Sequence, residues 1–411
     1  MSKPMTMFRN ALIGVLLICA PALPLNAAPS WTPVQAENLA RWVEQARHEA
    51  IDFPADRELS LRTAIDAGDS AQLDASSQEV ALELMSAWHG QCCGDQRPEW
   101  WRINGRIDRG ELQSGLTRAL RSDRLDLFLR SIRPSHPHYI GLANAYKRQT
   151  DPARRAVIAK NLARWRWLPA NLGSRYLFVN IAKQKLTLWE GGEVAAEWLV
   201  IVGKPVSRTP VFATYVTGIV LNPWWEIPSS IAAEGIAGFV QRSPAAARAS
   251  GYIYQGGRYR QMPGENNALG RVKLVMPNPY GVLLHDTSKR ELFSKSRRAL
   301  SHGCVRVDRA PEFAAVLFNN EEWNLVNVEA QIATNRTRTV ALNAPIPLYV
   351  AYLTAEPNAA GDVGFAEDIY NRDDVNLWAG NRTPTKEVYG SRASSRSSSL
   401  MAAIGATSCL I

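Results

Sequence analysis

The chain lacks the short ligand spacings that hold a metal ion. It has six histidines and five cysteines in 411 residues, with no Cys-x-x-Cys and no His-Glu-x-x-His. Zinc sites are usually built from such pairs on one element, so no metal is expected. Ser-x-x-Lys is absent as well, which excludes the serine acyl-enzyme chemistry built on that motif. No zinc finger, helix-turn-helix or aromatic-rich RNA motif accompanies the charge, so nucleic acid is not an expected partner. Beyond the first thirty residues no apolar run approaches the ~20 residues of a membrane helix. There are no internal repeats.

What is present reads as a globular chain long enough for two domains and a sizeable core. Hydrophobic residues make up 46% and charged residues 21%. The net charge is +9, a balance that suits an acidic polymer or an anionic membrane face. At the start, Lys3 and Arg9 precede the apolar run Ala11–Ala20, Pro21 to Pro24 break it, and Asn26-Ala27-Ala28 follows. That is the layout of a secretory signal peptide over 1–28, with membrane contact through that segment only if it stays uncleaved. Ile18 before Cys19 argues against a lipoprotein. Export implies an oxidising compartment for Cys92, Cys93, Cys304 and Cys409. A bridge between the neighbours Cys92 and Cys93 is strained, and a pairing of either with Cys409 stays open.

Residues 29–157 predict a helical domain. Thr32-Pro33 with Gln35 reads as a capping box, and Leu39, Trp42, Val43 and Ala46 share one helical face. Further helices are expected near 77–88, 109–120 and 123–129. Ser135-His136-Pro137-His138 reads as a solvated turn that opens another helix. Near Arg175 the period switches to two. Strands are expected at 176–181, 185–189, 198–202, 211–221, 272–276, 281–284 and 348–352, with a hairpin turn at Glu190-Gly191-Gly192-Glu193. The fold class is α+β: helical domain first, mainly β domain over 158–378. Residues 228–263 carry few strand signals and several alanines, and a segment that long inside a domain is usually functional. The serine-rich stretch 379–411 reads as a disordered tail.

The chemistry concentrates at Ser301-His302-Gly303-Cys304-Val305-Arg306, with His285 upstream in Leu283-Leu284-His285-Asp286. A thiol with an ordinary pKa of roughly 8.5 is mostly protonated at neutral pH, and a nearby imidazole can take that proton. Gly303 lets backbone approach closely, so amides near Gly303 and Cys304 can face a developing oxyanion.

This pattern resembles the active-site signature of the YkuD-type L,D-transpeptidases, a His followed somewhat under twenty residues later by Ser/Thr-His-Gly-Cys. The resemblance extends over about 158–378 and includes Asn161–Pro169, Val202-Gly203-Lys204-Pro205, Thr209-Pro210-Val211-Phe212, Asn222–Ile231 and Asn267–Lys273. It is similar in particular to the large Gram-negative members with a helical scaffold. The resemblance implies a β-sandwich catalytic domain, a lid over about 228–263, and a periplasmic enzyme that makes 3-3 peptidoglycan crosslinks. Cys304 is then the nucleophile and His285 its base, with His302 shaping the pocket. Arg306, Ser301 and Trp225 are expected at the substrate. No cofactor is implied. The partners are peptidoglycan stem peptides and, by extension, other wall synthases. Acylation by carbapenems is also implied.

Competing readings differ in their acceptor or class: a carboxypeptidase or endopeptidase using water at the same site, or a non-catalytic wall-binding scaffold. Asp286 is expected to be a surface or capping residue, and the separate peptidoglycan-binding module of many relatives has no room between Tyr146 and Asn161. Leu283 stands where relatives often have Tyr, which takes away a hydroxyl at the oxyanion site.

Overall fold

The computed structural model describes residues 30–93, 97–358 and 360–374. The expected signal segment and the tail from 379 onward lie outside the described residues.

Seven helices come first: α1 (Pro33–Arg47), α2 (Ala55–Ala67), α3 (Ser70–Trp88), α4 (Arg109–Arg121), α5 (Leu125–Ile132), α6 (Pro137–Arg148) and α7 (Pro152–Arg166). Thr32 caps α1 with Gln35 answering it, as the motif predicts. Helix α3 starts earlier than the apolar spacing suggests, because the Asp69 side chain caps the amides of Ala71 and Gln72. Helix α2 was not legible: it buries only Leu61 and Ala64, so it has almost no apolar stripe.

The core of α1–α5 centres on Leu39, Val43, Leu84 and Trp88. Helices α6 and α7 instead bury Tyr139, Leu142, Val157, Ile158 and Leu162 in the core of the β region. The boundary expected at 157/158 therefore falls inside α7, which belongs to the second core. One carboxylate joins the two. Glu49 is 1% exposed. It accepts from Trp88 Nε1 on α3 (3.1 Å), Arg133 Nε after α5 (2.6 Å) and Tyr139 Oη on α6 (2.8 Å). Arg166 on α7 donates to its backbone carbonyl at 2.9 Å.

The β region begins with β1 (Arg175–Asn180), β2 (Lys185–Glu190), β3 (Glu193–Gly203), β4 (Phe212–Leu221) and β5 (Trp225–Glu226). Next come α8 (Ser229–Ile231), a π-turn, α9 (Ala237–Arg242), α10 (Pro244–Ala249), β6 (Tyr252–Gln255) and β7 (Arg258–Gln261). The chain continues through β8 (Val272–Val275), β9 (Leu284–His285), β10 (Ala299–Ser301), β11 (Val305–Val307), α11 (Ala310–Phe318), α12 (Leu325–Ala333), β12 (Arg338–Ala351), β13 (Ala355–Pro357) and β14 (Val363–Phe365).

Nine strands form one sheet in the order β10-β3-β11-β9-β8-β4-β12-β1-β2, and β2 also pairs with β3. That last pairing closes eight strands into a ring with β10 attached to β3. The two facing layers expected from the resemblance are thus halves of one continuous sheet around one core. The segment 228–263 carries more strand than its few strand signals suggest. Its second part is a hairpin, β6–β7, that pairs with β5 in a separate three-stranded sheet. Trp225, Ile227, Ile231, Ala232 and Leu269 bury themselves beneath it.

His136 and His138 do not form a solvated turn. His136 caps α6 by accepting from the His138 amide, stacks on Trp165 at 4.1 Å and bonds Tyr176 Oη at 2.8 Å. The Pro between the two histidines starts the helix, and the aromatic wall of α7 and β1 covers the rings. Cys92 and Cys93 are bonded to each other.

Candidate active site

Strands β9 and β11 run parallel, with Val305 opposite Leu284 and Arg306 opposite His285. Alternate residues of a strand share a face. Leu284, Val305 and Val307 therefore point into the core, each at most 1% exposed. His285 and Arg306 share the other face, and Cys304, two residues before Arg306, joins them. The backbone amide of Leu283 donates to Cys304 Sγ at 3.2 Å. A donor there stabilises sulfur as it becomes anionic. Cys304 is fully buried. The reduced thiol is the form of such a cysteine that can act as a nucleophile.

The turn before Cys304 is clamped from within. Ser301 Oγ donates to the Cys304 carbonyl at 2.6 Å and accepts from the Gly303 amide at 3.1 Å. Gly303 has φ 119°, a conformation that requires glycine. Two sequence expectations change here. Ser301 is fully buried and its hydroxyl is spent inside the turn, so it shapes the loop and does not face a ligand. The Gly303 amide is already engaged, which removes it from the expected oxyanion donors.

His285 is 2% exposed. Its Nδ1 meets the Asp286 carbonyl. A carbonyl only accepts, so Nδ1 carries the proton and Nε2 presents a lone pair. That Nε2 is buried with no partner among the described residues. Burial, then the Arg306 charge, push the imidazole pKa down to about 3. At neutral pH the ring is an uncharged base. Asp286 is not at the surface: it is 1% exposed, accepts from the Arg271 amide at 2.8 Å and from Arg290 at 2.9 Å, and thereby fixes the carbonyl that orients His285.

Beside this pair lies a cavity of about 410 Å³. Lys204, Trp225, Tyr252, Lys289, His302 and Arg306 contribute to its wall, and no acidic residue does. Cys304 and His285 are not themselves in that wall, but their chain neighbours Thr287, His302 and Arg306 are. Arg306 is 9% exposed with Nε lacking a partner among the described residues, and burial lowers its pKa. His302 lines the cavity with Nδ1 buried and unpartnered among the described residues. Trp225 is 4% exposed, and it belongs both to the small apolar core under β5–β7 and to the cavity wall. The sequence reading missed Lys204 and Lys289 as wall residues. Lys204 directly follows the Gly203 that ends β3.

A buried cysteine on a glycine turn beside a buried neutral imidazole is the arrangement of a cysteine-dependent enzyme domain. Residues 174–328 of the β region match the model of YkuD, the L,D-transpeptidase catalytic domain, and a helical region precedes them. A curated Haemophilus influenzae protein, "Putative L,D-transpeptidase", is 30% identical over 223 residues. That match spans 49% of this chain and 45% of the relative, so the chain covers less than half of that protein's length. Among solved structures, the catalytic domain of the E. faecium L,D-transpeptidase acylated by ertapenem is 14% identical, covering 44% of this chain and 99% of its own, with a TM-score of 0.24. The Mycobacterium smegmatis L,D-transpeptidase is 15% identical, covering 43% and 58%, with the same score. Superpositions at that level carry no argument; the sequence match carries the family.

Proposed function

We propose that this protein is an exported, periplasmic L,D-transpeptidase that crosslinks peptidoglycan stems through Cys304. The observation that carries the reading is the β9–β11 register, which puts an uncharged His285, Arg306 and the sulfur of Cys304 on one face beside a cation-lined cavity. His285 Nε2 takes the proton of the reduced thiol. The thiolate attacks the carbonyl carbon of the L-centred residue in a donor tetrapeptide stem, meso-diaminopimelate in Gram-negative walls. The C–N bond to the terminal D-alanine breaks, the leaving amine takes the proton from His285, and a thioester forms. The side-chain amine of a second stem attacks that thioester, an amide forms, and the sulfur leaves and is reprotonated. Leu283 N–H supports the anionic sulfur.

Arg306, Lys204 and Lys289 suit the stem carboxylates, with the guanidinium able to grip one bidentately. His302 and Trp225 shape the groove. No step calls for a cofactor or a metal. The net charge of +9 favours attraction to an anionic polymer. Other wall synthases are the natural partners of such an enzyme. The test is product analysis on purified muropeptides with the reduced full-length chain. Crosslinked 3-3 dimers are the expected product. Tripeptides alone would make it a carboxypeptidase, and no turnover together with no carbapenem adduct at Cys304 would leave it a binding scaffold.

A further inference from the structure

The turn that carries Cys304 is held from outside by a residue far beyond the family match. Thr209, fully buried, donates through Oγ1 to the Gly303 carbonyl at 2.9 Å and accepts there from the Gly203 amide at 2.9 Å. The Thr209 amide in turn donates to Tyr370 Oη at 3.1 Å, and Tyr370 Oη donates to the Gly203 carbonyl at 2.6 Å. One phenol thus bridges both strand ends that cradle Gly303. Gly203 leaves no room for a side chain: a Cβ there would lie 2.1 Å from the Ser207 carbonyl oxygen.

Tyr370 is itself fixed. It is 1% exposed and stacks on Tyr352 with centroids 5.4 Å apart. Its amide donates to Tyr352 Oη at 3.0 Å, and Tyr352 Oη donates to Asp368 at 2.5 Å. The segment around it is anchored on α7. Arg164 pairs with Asp373 at 2.7 Å, both side chains nearly fully buried, and donates to the Arg372 carbonyl at 2.8 Å. Asn161 exchanges two bonds of 2.8 Å with Thr354. A continuous set of hydrogen bonds therefore runs from α7 through residues 368–373 to Thr209 and the nucleophile turn.

We infer that Tyr370 is a positioning residue for Cys304, acting through Thr209, and that residues 368–373 are a strap by which α7 sets the geometry of the nucleophile. The inference deepens the proposed function, since it rests on Cys304 being the nucleophile. A misplacement of about 1 Å can cost up to roughly 10²-fold in rate, so loss of one buried bridge should show in the chemical step.

The test uses the reduced full-length chain and two readouts. One is the rate of carbapenem acylation. The other is the pH profile of iodoacetamide alkylation at Cys304, followed by mass spectrometry, which needs no assumption about the natural substrate. Tyr370→Phe keeps the ring and removes the bridge. It should slow acylation about tenfold or more, displace the alkylation profile, and leave non-covalent affinity near wild type. Tyr139→Phe removes an equally buried phenol bond in the helical region and should cost stability while leaving both readouts unchanged. Thr209→Val should follow Tyr370→Phe, and Thr209→Ser should restore wild-type behaviour, so the inference stays testable even if Tyr370→Phe folds poorly. Tyr370→Phe or Thr209→Val reacting at the wild-type rate overturns it. So does slowing that merely tracks lost stability in Tyr139→Phe as well. A wild type that resists carbapenem would count against the proposed function, while the alkylation profiles would still decide the strap.

Discussion

At the scale of single residues, two histidines compete for one role, and the structure separates them by tautomer and burial. His285 presents an unprotonated Nε2 because its Nδ1 proton is committed to the Asp286 carbonyl; His302 faces the cavity. His285→Ala is expected to lower carbapenem acylation by roughly 10²–10⁴-fold, the usual range for a lost general base. His302→Ala should retain measurable acylation, and Cys304→Ala should give no adduct at all. Stopped-flow fluorescence and intact mass measure the three, and a near-normal His285→Ala would transfer the role of base to His302. That Cys304 and His285 come together was legible in the sequence because their motif is long. The function of Ser301 was not. A serine next to a catalytic motif reads as a ligand contact, and only coordinates reveal both of its hydrogen bonds turned inward. Asp286 misled for a similar reason: a charged residue beside a strand end reads as solvated until Arg271 N and Arg290 are found on it.

At the scale of elements, Glu49 ties α3, α6 and the end of α5 to the turn after α1, and Arg166 of α7 holds the same turn by its carbonyl. Removing one partner of a buried charged cluster strands the others, at a cost of about 3–5 kcal/mol. Glu49→Ala should therefore lower the unfolding free energy from urea titration markedly, whereas Arg130→Ala, in an exposed pair with Asp126 on α5, should change it by under about 1 kcal/mol. Equal effects would show that the cluster is not a fastening. The helices with strong caps or stripes, α1 and α4, were readable from spacing alone. Helix α2 was not, because two buried residues leave no period to detect. The hairpin β6–β7 escaped for the opposite reason. Its turn, Gly256-Gly257, is a local hairpin signal, but the alanine-rich stretch before it dominates the reading; only the pairing of β7 with the two-residue β5, more than thirty residues earlier, lacks a local signal.

At the scale of the whole molecule, buried histidines set an acid limit on stability. Burial first, with a further contribution from His138 at His136 and from Arg306 at His285, holds His89 at about 4 and His136 and His285 at about 3. Their folded-state values are depressed, so below the ordinary value near 6.5 the unfolded chain binds protons that the folded chain refuses. Stability is full above that value and falls as pH drops from about 6.5 toward 4, each histidine contributing on the order of 1 kcal/mol per pH unit. Denaturant titrations at pH 7, 6 and 5 should show this slope, and His136→Gln should flatten it; a pH-independent midpoint would contradict it. The closed sheet has one more consequence, for biosynthesis. Strand β12 lies between β1 and β4, pairing in parallel with the first strand of the ring, yet it is made after every strand that carries the site and after the family-matched residues 174–328 end. A chain emerging N-terminus first can form its helices as they appear. It cannot close the ring until residue 351 is free, and Tyr370 follows still later. The supports of the nucleophile turn are therefore made late, and a chain halted before Tyr370 lacks the phenol that bridges Gly203 and Thr209.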